Sequence, residues 1–86
     1  MKEKTLTVQI LTPDGPLFEG TAQAAFLPGV VSPFEVLPGH AAIISALEAG
    51  EIRIVPVEAG EECRFAIRGG VVKVRDNIIT ACVETA

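Results

Sequence analysis

From Thr5 to Ile10 the chain alternates without a break, with Leu6, Val8 and Ile10 on one side and Thr5, Thr7 and Gln9 on the other. A period of two is that of a half-buried β-strand, whose successive side chains point to opposite faces. Thr12-Pro13-Asp14-Gly15-Pro16 ends this strand, because neither proline can donate a ladder hydrogen bond and Asp-Gly is a hairpin signal. Residues 17–27 hold one long strand or two short ones, and Gly20 inside the run predicts a bend there. Pro28-Gly29 and Pro38-Gly39 are turn dipeptides that bracket a short strand over 34–37.

The stretch 40–49 is ambiguous: Ala41-Ala42-Ile43-Ile44-Ser45-Ala46-Leu47 suits a helix by propensity, but it is short and lies between Gly39 and Gly50. Beyond it, 51–57 alternates with Ile52 and Ile54 inward and Glu51 and Arg53 outward. After a turn over 58–61 containing Gly60, Cys63, Phe65 and Ile67 oppose Glu62, Arg64, Ala66 and Arg68. Gly69-Gly70 divides this strand from 71–75, and Asp76-Asn77 divides that one from 78–84, so the end reads as a meander with tight turns. Short strands with turn signals every ~8 to 12 residues predict an all-β sandwich or barrel, and alternation that buries one face predicts antiparallel pairing.

A length of 86 residues fits a single domain over 1–86. A chain this small hides only about 60 to 65% of the surface it exposes unfolded, which leaves modest stability and favours a partner. Apolar residues make up 49% and charged ones 21%, the balance of a folded globular domain. No apolar run exceeds that of Ala41 to Ile44, far below the ~20 residues of a membrane-spanning helix. Met1-Lys2-Glu3-Lys4 opens no secretory signal. The net charge is −4 and the basic residues are scattered, which argues against nucleic acid as a partner.

Candidate chemistry is sparse. His40 is the single histidine, so a catalytic triad or a zinc site cannot be assembled, and catalytic residues, metal and cofactor are all expected to be none. Cys63 and Cys82 lie in predicted strands without CxxC spacing and read as reduced core thiols. Gly69-Gly70 lacks the Lys-Ser/Thr ending of a phosphate loop and instead marks a backbone position needing positive φ or close packing. Glu58, Glu61 and Glu62 read as a solvated face around a turn. Val30, Val31 and Phe34 either mark a binding surface or fold back as core.

Three segments, in this order and spacing, carry a resemblance. They are Leu27-Pro28-Gly29, then Val36-Leu37-Pro38-Gly39-His40-Ala41 leading to Ala46-Leu47-Glu48-Ala49-Gly50, and finally Phe65-Ala66-Ile67-Arg68-Gly69-Gly70-Val71-Val72-Lys73-Val74 with Asp76-Asn77. Together they resemble the N-terminal domain of the ATP synthase ε subunit, called δ in mitochondria, and the likeness runs from Leu6 to Ala86. It implies an antiparallel β-sandwich of about ten short strands, with the segment from His40 to Leu47 extended rather than helical. It also implies a non-catalytic central-stalk part of F1 that couples the γ subunit to the ring of membrane c subunits in proton-driven ATP synthesis, peripheral on the cytoplasmic face of the bacterial inner membrane. Membrane contact would come only through the c ring.

By the same resemblance His40, Thr12 and Ser45 face γ, and the loop Gly29, Val30, Val31, Ser32, Pro33 and Phe34 faces the c ring. The family loop usually carries glycine and acidic residues, whereas here it reads Val30-Val31-Ser32-Pro33-Phe34-Glu35, with Glu35 keeping a carboxylate nearby. Most bacterial members continue into a C-terminal helical hairpin that restrains hydrolysis; the expectation from a sequence ending at Ala86 is a rotor part without that brake. The competing expectation is a stand-alone β-sandwich that binds a ligand or protein, weakened by the lack of Trp and Tyr.

Overall fold

The structure, a computed structural model, describes residues 5–57 and 60–86; the start Met1 to Lys4 and Glu58, grouped above with Glu61 and Glu62, lie outside the described residues. Among the described residues there are seven strands: β1 (Leu6–Thr12), β2 (Gly15–Leu27), β3 (Phe34–Val36), β4 (Ile43–Leu47), β5 (Gly50–Pro56), β6 (Cys63–Arg75) and β7 (Ile78–Thr85). Within the ambiguous stretch 40–49, Ile43–Leu47 is strand rather than helix, while 40–42 belongs to no strand.

The strands close on themselves in the order β1-β7-β6-β5-β2 and back to β1, while β3 flanks β2 and β4 flanks β6. The two 13-residue strands make this possible. The first half of β2 pairs with β1 and its second half with β5 and β3. Likewise the first half of β6 pairs with β5, and its second half with β4 and β7. The long strands thus pass from one layer of a flattened sandwich to the other, which is how two packed sheets make corners.

Three expectations need correction. The strands number seven rather than about ten, chiefly because Gly69-Gly70 is a bend inside β6 and not a turn between two strands. Here the buried positions switch parity, from Ile67 to Val72 and Val74, and the register against β7 slips between Ile67 and Gly69. One extra residue in a bulge moves every following side chain to the other face. Secondly, the bend in β2 falls at Gln23, where the register against β5 shifts, and not at Gly20, which pairs regularly with Val8 under the Phe18 ring. Thirdly, pairing is not wholly antiparallel, since β1 runs parallel to β7 from Thr7 opposite Ile78 to Leu11 opposite Cys82.

The core lies between the layers. Leu6, Val8 and Ile10 are buried as their alternation predicts, and Ile52, Ile54, Ile67, Val72, Val74 and Ile79 join them. Each such side chain contributes about 1.5–3 kcal/mol on leaving water. Phe18 and Phe65 seal one side of it, their ring centroids 5.5 Å apart. The thiols depart from expectation: Cys63 is half-buried against the core, but Cys82 sits on an outward position of β7 and is exposed.

Candidate functional site

The Gly29 to Phe34 loop is tied down at its base. Gly29 bridges to Leu47, Val30 N–H donates to Ala46 O at 3.0 Å, and Glu48 N–H donates to Pro28 O at 2.9 Å. A side chain at Gly29 would meet Ser32 O at 2.6 Å and the Phe34 ring at 2.9 Å, so the tight return requires glycine. The loop residues then divide. Phe34 packs against the core, while Val30 and Val31 point away from it, Val31 being 98% exposed. A fully exposed apolar tip on an anchored base is unusual unless something covers it.

Thr12, His40 and Ser45 are not brought together. Thr12 stands at the β1–β2 hairpin, where its hydroxyl accepts from Asp14 N–H at 3.2 Å and donates to Gly15 O at 2.8 Å. His40 stands at the opposite end of the same layer, in a cleft shared with Arg75, Asp76 and Asn77. Its N–H donates to Leu37 O at 3.1 Å, and Nδ1 lies 2.7 Å from Ala41 O. Since Leu11 pairs with Cys82 and Asn77 precedes the start of β7, roughly 20 Å of strand separates these two residues. Ser45 lies between them on β4, half-buried on the inward side opposite Val72, with its hydroxyl donating to Ala46 O at 3.1 Å. All three hydroxyl and imidazole groups have partners within the chain, so each braces local backbone as well as edging this layer.

The face between them holds residues that sequence reasoning passed over. The registers of β4, β6, β7 and β1 set Ala46, Val71, Cys82 and Leu11 side by side in one outward row, continued by Pro16 on β2. Val71 is 50% exposed; Ile44, 73% exposed, lies on the next outward row with Lys73, Thr80 and Gln9, and Ile78, 49% exposed, on the row beyond with Arg75 and Thr7. Next to this row, Leu11, Pro13, Gly70, Cys82 and Val83 line an open, largely apolar groove. The signal in the sequence was the apolar doublet. Ile10-Leu11, Ile43-Ile44, Val71-Val72, Ile78-Ile79 and Cys82-Val83 each break strict alternation, and in every one the structure turns one side chain inward and the other out. An apolar stripe across four adjacent strands is a contiguous patch, unlike the singly scattered apolar residues common on protein surfaces.

The other layer is polar. Arg53 lies 4.2 Å above the centre of the Phe26 ring and meets Glu62 at 3.2 Å, while Arg64 reaches Glu51 at 3.5 Å and Glu62 at 3.3 Å. The Glu62 carboxylate therefore belongs to an ion-pair lattice across β5 and β6. Among the described residues no three His, Cys, Asp or Glu side chains converge as metal ligands.

Comparison with known proteins bears on this arrangement. A family model described as "ATP synthase, Delta/Epsilon chain, beta-sandwich domain" matches residues 5–86. Proteins named ATP synthase epsilon chain are similar over 95% of the chain: that of Bordetella petrii is 34% identical over 82 residues, covering 57% of its own length. That of Campylobacter fetus subsp. fetus is 38% identical over 82 residues and covered to 63%, and that of Synechococcus elongatus 36% over 83 residues and covered to 58%. The chain thus spans less than two thirds of the length of these curated relatives. Among solved structures, a chain of the Euglena gracilis mitochondrial ATP synthase, OSCP/F1/c-ring in rotational state 1, superposes with a TM-score of 0.87 at 18% identity, over 96% of this chain and 52% of that one. A chain of the Tetrahymena thermophila mitochondrial ATP synthase central stalk/c-ring gives 0.77 at 18% identity, over 98% and 66%. At that identity the superpositions speak for the fold.

Proposed function

The chain belongs to the family of ATP synthase delta/epsilon-chain β-sandwich domains, and from that membership we propose that it is a rotor part of the F1 central stalk, docked between the γ subunit and the c ring. The observation that carries this reading is the outward apolar stripe of Ala46, Val71, Cys82 and Leu11, a surface with no use in an isolated domain. The face it occupies, edged by Thr12 at one end and His40 at the other, takes γ. Because those ends lie roughly 20 Å apart, the partner must be an extended element lying along the layer. The separate tip Val30-Val31 takes the polar loops of the c ring, with Glu35 exposed on β3 where the loop ends.

In this reading the domain does no chemistry. Its contribution is mechanical: a close-packed interior has low compressibility, so a torque applied through one contact reaches the other with little lost to deformation. The closed ladder adds to this, because a barrel that joins β1 to both β7 and β2 leaves fewer free edges to splay. Catalysis belongs to other subunits of the complex, ions move through the membrane sector, and the chain sits peripherally on the cytoplasmic face.

The reading is tested by mixing the protein with purified γ subunit of the same enzyme. Co-elution at micromolar concentrations is expected, with no ATPase activity from this chain alone; failure to form a complex overturns the assignment. For the second contact, Val31→Asp is expected to leave the melting temperature unchanged, because Val31 touches little of its own chain. Rotor assembled with that variant should hold the c ring about tenfold more weakly, the loss expected for one contact of about 1.4 kcal/mol. Unchanged retention would remove the loop from the c-ring contact.

A further inference from the structure

The His40 turn is the least anchored part of the proposed γ face. It follows Pro38 and Gly39, Gly39 takes φ +91°, and no strand includes residues 37–42. A side chain from elsewhere in the sequence holds it. Asn77, 38 residues away in the chain, accepts a 2.7 Å hydrogen bond from Gly39 N–H through its Oδ1. The amide orientation is fixed by chemistry, since a backbone N–H can only donate and so must meet the oxygen. Asn77 is itself set firmly. It is the second residue of a two-residue turn in which Asp76 and Asn77 both have positive φ, 53° and 63°, and its carbonyl accepts from Thr7 N–H at 2.8 Å. Arg75 pairs with Ile78 directly across that turn. Asparagine is unusual in meeting both demands at once: it tolerates the left-handed conformation and carries a side-chain acceptor.

Taking the proposed γ contact as given, we propose that Asn77 is a positioning residue for that contact: its side-chain oxygen clamps Gly39 and so presents His40 at a fixed place beside the β6–β7 turn. Without the clamp the turn keeps local contacts, the His40 N–H to Leu37 O bond and the His40 Nδ1 contact with Ala41 O, which do not attach it to the sheet. A partner that binds His40 would then have to order the turn on binding, and affinity would fall by that ordering cost.

Two substitutions separate the clamp from the turn it sits in. Asn77→Gly keeps the positive φ and makes Asp-Gly, a favoured pair for such turns, but deletes the acceptor. Asn77→Asp keeps an acceptor oxygen in a residue that also tolerates positive φ. In the full-length protein Asn77→Gly should exchange the Gly39 amide at least about tenfold faster than wild type, with the amides of Val72 and Val74 as protected as before. Affinity for γ should drop about tenfold, and Asn77→Asp should restore both slow exchange and affinity to within about threefold of wild type. Unchanged Gly39 exchange in Asn77→Gly shows that the clamp does not hold the turn; faster exchange with unchanged affinity shows that the turn is held but not for binding. Either result overturns the proposal. If the wild-type protein itself fails to bind γ, the proposed function falls and the positioning role falls with it, while Gly39 exchange still decides whether Asn77 holds the turn.

Discussion

Replacing Gly70 with alanine is expected to cost about 3–5 kcal/mol, most of the about 5–10 kcal/mol that a domain of this size holds in reserve. A Cβ at Gly70 would be driven into Cys82 O and would also approach the Val83 Cα to 2.8 Å and its Cγ1 to 2.9 Å. Two of these three obstacles are backbone atoms of β7, which is paired on both sides, to β6 and to β1, and so has little freedom to retreat. The backbone adds to the cost: φ is +157°, inside a region that residues with a side chain rarely adopt. Gly69→Ala is the control, because its Cβ would find only Leu47 O at 3.4 Å, an ordinary contact, at an ordinary φ. Urea unfolding should therefore give Gly70→Ala a midpoint near zero denaturant and Gly69→Ala a midpoint close to wild type. A loss below about 1 kcal/mol for Gly70→Ala would mean that the bend in β6 accommodates a side chain after all.

That pair of glycines also marks where the sequence stopped being legible. Alternation found Leu6, Val8 and Ile10, and Ile52 and Ile54, because a strand with one buried face writes its geometry at a period of two. The Thr12 to Gly15 hairpin and the Asp76-Asn77 turn were legible for a similar reason: their dihedrals demand particular residues. Gly69-Gly70 announces only that the backbone is unusual, and the same dipeptide serves a turn between strands or a bulge within one. What decides is whether β5 and β7 can both pair with one continuous strand, a fact of tertiary register invisible to local pattern. Closure of the ladder and the parallel β1–β7 pair escaped for the same reason, since partners 71 residues apart leave no joint mark. At the candidate site, the resemblance supplied Thr12, His40 and Ser45 one at a time, and only the fold reveals that Thr12 and His40 stand at opposite ends of one layer while Ser45 turns inward on β4. The stripe was partly written in the apolar doublets, which become meaningful once the registers align the outward members Leu11, Val71 and Cys82 in a row with Ala46.

Val71→Glu follows from that alignment, and its effect should be the largest of the binding losses expected from single substitutions here. Val71 is at the middle of the outward row, with Ala46 on one side and Cys82 on the other, and half of it is exposed. In the isolated chain a glutamate there keeps its carboxylate in water, and the change costs no more than about 1 kcal/mol of strand preference. In a complex that covers the stripe, the same carboxylate is buried against apolar neighbours without a partner, a penalty of at least about 3 kcal/mol, or more than about 100-fold in affinity for γ. Residues at the centre of a covered patch carry a disproportionate share of binding energy, which sets this position apart from the loop tip at Val31. Ala66→Lys supplies the contrast: it is outward on the opposite layer, across from Glu51, and should leave binding unchanged. Titration of γ with the three proteins, alongside their melting curves, separates the outcomes. Strong loss in Val71→Glu alone, with its fold intact, identifies the β4-β6-β7-β1 layer as the docking face. Loss in Ala66→Lys with Val71→Glu unaffected would move the contact to the ion-paired layer and leave the apolar stripe facing something other than γ.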